Sequence, residues 1–351
     1  MRTNTICPLC GLSMQRCYKG MFDDRYGMPE LYDILMCSAC ELAQTSPSLC
    51  EEDLPAVYGT YYPRKNLDIG ALPGHLEDPI SPIGRFKIWM KGIGNQGHYF
   101  ARAGMTVLDY GCGTGTSLLE LRAMGADGYG IEVDPNVKEI AERLDLKIQI
   151  GSFAEVPWPG IKFDLISLNQ VIEHIPDPKR LLRMLKPCLK EGGVVVLSFP
   201  NLASLYRRLC GRSWINWHVP YHIHHFSRNA FSRLCKQEGW SVVAWKTVTP
   251  NLWTLMQLRA LTSRPERGKP SPLWIPQDAT PSDSAFIRKT PRARWTRLLL
   301  ALHNRLWAGT RRAGRTFGHV GVLVVNRIID FLGSGDSLLV IVRPDRSTHR
   351  E

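Results

Sequence analysis

The sequence predicts an α/β protein: a doubly wound, mostly parallel sheet of seven strands, with a small N-terminal zinc ribbon and a helical C-terminal insertion. Three observations carry this expectation. Two Cys-x-x-Cys pairs stand at the start of the chain, strand and helix patterns alternate from Met105 to about Val248, and a long basic segment separates the last two apolar runs. The corresponding boundaries are residues 1–55 for the ribbon, 56–104 for a linker and lid segment, 105–250 for the core, 251–332 for the basic insertion and 333–346 for a closing strand.

The ribbon rests on Cys7, Cys10, Cys37 and Cys40, two pairs separated by 26 residues. Each short loop directs two thiolates at one ion, and two such loops complete a tetrahedral zinc site. Gly11 follows the first pair, where a tight knuckle turn favours glycine. One pair would suffice for a redox dithiol, whereas two are present. Cys17 and Cys50 stand as alternative ligands. A set of four cysteines leaves no open coordination position, so the ion is expected to be structural.

Residues 56–104 are rich in glycine, proline and aromatics, among them Tyr58, Tyr61, Tyr62, Phe86 and Trp89. The core then begins. Val107-Leu108 ends a strand, Thr116 to Met124 is a helical run, and Gly128 to Val133 is a second strand. A helix opening at Pro135 places Val137, Ile140, Ala141 and Leu144 on one face. Lys147 to Ile150 and Phe163 to Leu168 follow as strands. Asp177-Pro178 starts a helix carrying Leu181, Leu182, Leu185 and Leu189, which Gly192-Gly193 is expected to end. Val194 to Phe199 is apolar throughout, as in a strand buried on both faces. Such alternation implies parallel strands with helical crossovers.

The strongest single signal is Asp109-Tyr110-Gly111-Cys112-Gly113-Thr114-Gly115, a strand running into a glycine turn and then a helix. Glycines there let the backbone turn sharply and approach a ligand, and a helix N-terminus offers unpaired N–H groups. A dinucleotide-binding loop would need its third glycine at the position of Thr116. The segment instead resembles the class I S-adenosylmethionine-dependent methyltransferases, whose loop runs acidic-x-Gly-x-Gly-x-Gly. The resemblance continues in Gly130-Ile131-Glu132-Val133-Asp134, where Glu132 lies 21 residues beyond Gly111. It implies a Rossmann-like methyltransferase fold and S-adenosylmethionine as cofactor. Asp109, Gly111, Gly113 and Gly115 would form the cradle, with Glu132 on the ribose hydroxyls. A carboxylate suits that task, since it accepts two hydrogen bonds from a diol. Gly151, Ser152 and Phe153 would line the adenine, with Asn169 and Gln170 beside the methionine portion.

Methyl transfer needs an aligned acceptor and, for a hydroxyl, a proton acceptor. Two places offer one. Glu173 and His174 follow the fourth core strand, at the edge where doubly wound sheets bind ligands. The second, Trp217 to Ser227, concentrates imidazoles at His218, His222, His224 and His225. It resembles the Pro-x-His-x-x-x-Phe-Ser segment of many small-molecule and glycan methyltransferases, in Pro220, His222, Phe226 and Ser227. His174 and His222 are both candidates for the base; each has the alternative of holding a loop. No carboxylate or cysteine joins these histidines at ligand spacing along the chain, so a metal site among them is not the expectation.

The chain carries a formal charge of +12, with 44% hydrophobic and 22% charged residues. From Met256 to Glu351 there are seventeen Lys/Arg against seven Asp/Glu, so nearly all the excess lies in that quarter. There Trp295, Leu298, Leu299, Leu302 and Leu306 share a helical face beside Arg292, Arg294, Arg297 and Arg305. A helix over 292–312 with this pattern either packs on the core or a second subunit, or lies on an anionic membrane. No run reaches the roughly 20 apolar residues of a membrane span; Val320 to Leu332 is short and holds Arg327 and Asp330. The start of the chain shows no signal-peptide core. The expectation is a cytoplasmic enzyme, with peripheral contact at the inner membrane face as a secondary reading. It would methylate a small-molecule or carbohydrate acceptor at oxygen. An RNA methyltransferase gripping nucleic acid with ribbon and basic segment is the alternative, set against Asn169-Gln170-Val171-Ile172 where base-amino methyltransferases carry Asn-Pro-Pro-Tyr. A catalytically silent binding protein is the third reading.

Overall fold

The computed structural model describes residues 5–61, 74, 76–151, 158–274 and 311–345. Its larger sheet has seven strands, built around the apolar runs of the sequence. In chain order these are β4 (Thr106–Tyr110), β5 (Asp127–Glu132), β6 (Ile148–Ile150), β7 (Phe163–Asn169), β8 (Leu189–Pro200), β10 (Trp240–Val248) and β11 (Ser337–Pro344). In space the order is β10-β11-β8-β7-β4-β5-β6. The five strands from β8 to β6 run parallel, and β11 inserts antiparallel between β8 and β10. Val107, Leu108, Ile166, Leu168 and Val195 to Leu197 have no exposed surface, which explains why these strands read as unbroken apolar runs. Successive crossovers leave β4 in opposite directions, so its carboxyl end and that of β7 flank the switch point where such sheets bind ligands.

Helices α3 (Thr116–Ala123), α4 (Lys138–Arg143), α5 (Pro178–Leu185) and α7 (Arg228–Gln237) fill the crossovers. At the start of α5 the Asp177 carboxylate accepts from the Arg180 N–H at 2.9 Å, and Pro178 occupies a position where no donor is needed. Leu181, Leu182 and Leu185 are buried against the sheet. Leu189 departs from the expectation: the α-helix stops at Leu185, a 3₁₀ turn spans Lys186–Cys188, and Leu189 already belongs to β8. Pro187 cannot donate into the helical ladder, so the helix ends before Gly192-Gly193, which lie inside the strand. Leu182 has no exposed surface, and Leu182→Ala should destabilise the core by about 2–5 kcal/mol. Denaturant titration followed by tryptophan fluorescence would reveal this; an unshifted midpoint would mean the helix is not held through this residue.

The second sheet couples the ribbon to the core. Strands β1 (Gln15–Met21), β2 (Tyr32–Met36) and β3 (Ala43–Ser46) form an antiparallel meander, and β3 pairs next with β9 (His224–His225). The register sets Ala43 opposite His225 and Gln44 opposite His224. The histidine-rich segment is thus an edge strand of the ribbon's own sheet.

The stretch expected as linker and lid contains α1 (Leu54–Tyr61), α2 (Pro82–Lys91) and a 3₁₀ turn at Gly97–Phe100. That turn lies so close on the sheet that a Cβ on Gly97 would meet Ser167 Oγ at 2.6 Å. After β8 comes α6 (Leu205–Cys210), and the C-terminal part supplies α8 (Asn251–Thr262) and α9 (Arg311–Phe331). Asn326 of α9 donates to Asn251 at 3.0 Å, and Arg327 donates to the carbonyls of Trp89 at 2.8 Å and Thr249 at 2.6 Å. This portion of the insertion therefore packs on the core. Residues 292–310 of the expected basic helix lie outside the described residues. Among the described residues no helix is long and apolar enough to cross a membrane.

Candidate active site

The glycine turn follows β4 directly. Gly111 and Gly115 have φ of 78° and 76°, a region that side chains strain to adopt. A Cβ on Gly111 would stand 2.6 Å from Val171 Cγ2, and one on Gly115 would stand 2.6 Å from Leu146 Cδ1. Close packing, as well as backbone conformation, thus demands glycine here. Gly113 also has positive φ, and its N–H donates to Glu132 Oε2 at 2.8 Å. Glu132 ends β5, is 3% exposed, and accepts on its other oxygen from the Val133 and Asp134 N–H groups. The carboxylate is therefore fixed across the loop, at the height of the first two strand ends. Asp109 lies deeper. It accepts from the Ser117 hydroxyl in the first turn of α3, and burial raises its pKa while neighbouring His98 opposes the rise.

Beyond β7, Gln170 has φ of 55° and turns its amide back onto Ser198 and Ser337 at 3.2 and 3.3 Å. Asn169 donates to the Gln96 side chain. Gly151 joins Glu51, Leu54, Val133, Ile175 and Arg180 around a cavity of about 260 Å³ beside the end of β5. Ser152 and Phe153, expected at the adenine, lie outside the described residues.

Folding brings the two candidate acceptor-activating segments into one cluster. The Ile223 N–H donates to the Glu173 carbonyl at 2.8 Å, drawing the histidine segment onto the turn after β7. The imidazoles of His174 and His222 then lie 4.7 Å apart between ring centroids, and His218 lies 4.9 Å from His222. The Nδ1 of His222 is 2.8 Å from the Asn216 carbonyl, and that of His174 is 2.9 Å from the Tyr221 carbonyl. A carbonyl accepts only from an N–H, so His222 carries its proton on Nδ1 and presents a lone pair on Nε2, while His174 Nδ1 lies between the Tyr221 carbonyl and the Tyr58 hydroxyl. Burial, then the neighbouring imidazoles, pushes His222 well below its usual pKa, which keeps it neutral near pH 7. Glu173 is 1% exposed, and burial pushes its carboxyl up to about 8. The fold thus brings the Glu173 carboxyl, adjacent in sequence to His174, to His222 as well.

Several contributors carry no motif in the sequence. Tyr58 of α1 places its hydroxyl 3.0 Å from His174 Nδ1, across 116 residues. Tyr221 packs edge-on against both Tyr58 and Tyr26. Thr45 of β3 donates its hydroxyl to the His222 carbonyl at 2.6 Å, so the ribbon touches the backbone that aims the imidazole. Beneath the glycine loop, buried His98 and Glu120 meet at 2.6 Å.

The ribbon's four cysteines converge as their spacing requires. Their sulfurs all lie within 4.8 Å of one another, with Cys7–Cys40 and Cys10–Cys37 at 3.4 Å. These separations exceed a disulfide bond and suit thiolates around a tetrahedral ion. The two knuckles match: the Gly11 N–H returns to the Cys7 carbonyl and the Glu41 N–H to the Cys37 carbonyl, both at 2.9 Å. Cys17 is exposed, and Cys50 contacts Asp53 at 2.8 Å.

Residues 85–244 match a family model described as a methyltransferase domain. A ubiquinone biosynthesis O-methyltransferase of Xanthomonas euvesicatoria pv. vesicatoria (strain 85-10) is 29% identical over 134 residues, covering 35% of this chain and 56% of that protein. Its namesake in Xanthomonas campestris pv. campestris (strain B100) is 29% identical over 136 residues, covering 36% and 56%. The chain thus spans little more than half the length of these curated relatives. Among solved structures, an S-adenosylmethionine-dependent methyltransferase from Aquifex aeolicus superposes at a TM-score of 0.36 with 18% identity, over 52% of this chain and 94% of that one.

Proposed function

We propose, from the match of residues 85–244 to a methyltransferase-domain family model, that this chain transfers the methyl group of S-adenosylmethionine to a hydroxyl of a small molecule. One observation carries the reading. The glycine turn follows β4, Glu132 ends β5, and Glu173 and His174 follow β7, so the cofactor and acceptor candidates stand at the same carboxyl edge of the parallel sheet. Bound at the turn, the cofactor supplies an electrophilic methyl group. Glu132 takes the ribose hydroxyls on a carboxylate already held by backbone donors, and Asp109 stiffens the loop from below through Ser117. Asn169 and Gln170 shape the methionine end. Glu173, His174 and His222 receive the acceptor hydroxyl and a neutral imidazole takes its proton, beside the packed rings of Tyr26, Tyr58 and Tyr221.

The named activity of the relatives supports oxygen as the acceptor atom and a small molecule over nucleic acid. The tyrosines packed around the cluster suit a phenol or the face of a sugar, which keeps a carbohydrate acceptor within the proposal. The four cysteines hold a structural zinc ion. Calorimetry on the purified chain should give saturable binding of S-adenosylhomocysteine and no response to NAD. The opposite pattern would overturn the reading. With S-adenosylmethionine and a panel of phenols and monosaccharides, His222→Ala should lower turnover of the best acceptor by about 10²- to 10⁴-fold while leaving cofactor affinity within a few-fold.

A further inference from the structure

The geometry points to a second metal site, separate from the cysteines: a divalent transition-metal ion held by Glu173, His174 and His222, with positions left open for the acceptor oxygen. Its chemistry rests on the methyl-transfer reading above, whereas its existence does not. The ligand atoms of the three side chains lie within 4.8 Å of one another. Two further observations, independent of that proximity, argue that something positively charged belongs between them.

The first is the tautomer of the rings. His222 gives its Nδ1 proton to the Asn216 carbonyl, and His174 Nδ1 is held between the Tyr221 carbonyl and the Tyr58 hydroxyl. Imidazoles that bind metals through one nitrogen characteristically anchor the other in this way, which fixes the ring and raises its basicity. The second is Glu173. Both of its carboxylate oxygens are buried, and among the described residues neither has a hydrogen-bond donor. Buried carboxylates are ordinarily paired or bound to a cation, and no lysine or arginine is hydrogen-bonded to this one. His218 Nε2 is likewise buried without a partner, one ring away from His222.

Two imidazoles and one carboxylate form a set that divalent transition metals occupy with positions to spare. The contrast with the four-thiolate site is chemical: that site is closed, this one is open. An acceptor hydroxyl bound to such an ion loses its proton more readily. The proton passes to water, the oxygen pair forms the new O–CH₃ bond, and the pair of the broken S–CH₃ bond remains on the sulfur of departing S-adenosylhomocysteine. With the ion in place the three side chains act as its ligands, and water replaces the imidazole as proton acceptor.

Cobalt(II) added to the metal-stripped full chain separates the two sites. Thiolate ligation gives intense charge-transfer bands, and a nitrogen–oxygen site gives only weak ligand-field bands. The intact chain should bind about two equivalents, one of each kind. Glu173→Gln and His222→Ala should each remove the equivalent without thiolate bands and keep the other, whose persistence reports that the ribbon remains folded. Binding of about one equivalent by the intact chain, or of two by both variants, would overturn the inference; a protonated Glu173 facing neutral imidazoles would give the former. Calorimetry with S-adenosylhomocysteine on the same samples keeps the two proposals apart, since cofactor binding survives if only the metal site is wrong.

Discussion

Glu132→Ala should weaken binding of S-adenosylhomocysteine by about 10²- to 10⁴-fold. The estimate follows from two charge-assisted hydrogen bonds to a vicinal diol, each contributing about 1.5–3 kcal/mol. The side chain also holds the Gly113 N–H, so its removal loosens the loop that it crosses. Gly111→Val should act through a different cause with a similar result, because its Cβ would overlap Val171 and its φ is positive. Both variants should keep their ribbon metal. Titration calorimetry gives the affinity and metal analysis gives the control. An unchanged affinity in Glu132→Ala would remove the carboxylate from the cofactor site.

The second large effect concerns a residue far along the chain from the cleft. Cys37→Ser should release the ribbon metal, and with it binding energy on the order of 10 kcal/mol that helps fold the module. The damage should spread. β3 pairs with β9, Thr45 donates to the His222 carbonyl, and Ser227 at the start of α7 donates to Glu41 of the second knuckle at 3.0 Å. Methyl transfer should therefore collapse while S-adenosylhomocysteine still binds, since the donors Gly113, Val133 and Asp134 that hold Glu132 all belong to the core. Full activity in a metal-free ribbon variant would show that the two sheets are coupled only in appearance.

Much of the fold was legible because it is written locally. A strand buried on both faces is apolar at every position, and an N-cap aspartate followed by proline announces a helix within three residues. The glycine turn was legible for the same reason: the constraint on Gly111 and Gly115 is mostly their own backbone conformation. Even so, Gly192-Gly193 misled. They mark a turn, but Pro187 had already ended the helix, and the nearer breaker decided the boundary.

The acceptor site was legible only in parts. His174 and His222 each stood in a recognisable segment, yet their meeting depends on a backbone bond between Ile223 and Glu173 that no periodicity encodes. Glu173 and His174 belonged to the first segment and His222 to the second, so reasoning along the chain could not bring the carboxyl to His222. Tyr58 and Thr45 were invisible as site residues, because nothing in their neighbourhoods distinguishes them from ordinary helix and strand positions.

The pairing of β3 with β9 also has a consequence for biosynthesis. The strand at Ala43 leaves the ribosome about 180 residues before its partner at His225. Throughout that interval the outer rim of the meander has unsatisfied backbone groups, the condition under which strands recruit neighbours from other nascent chains. With the proposed zinc loaded early the meander's shape would be fixed sooner, and zinc added during cell-free synthesis should raise the yield of native product.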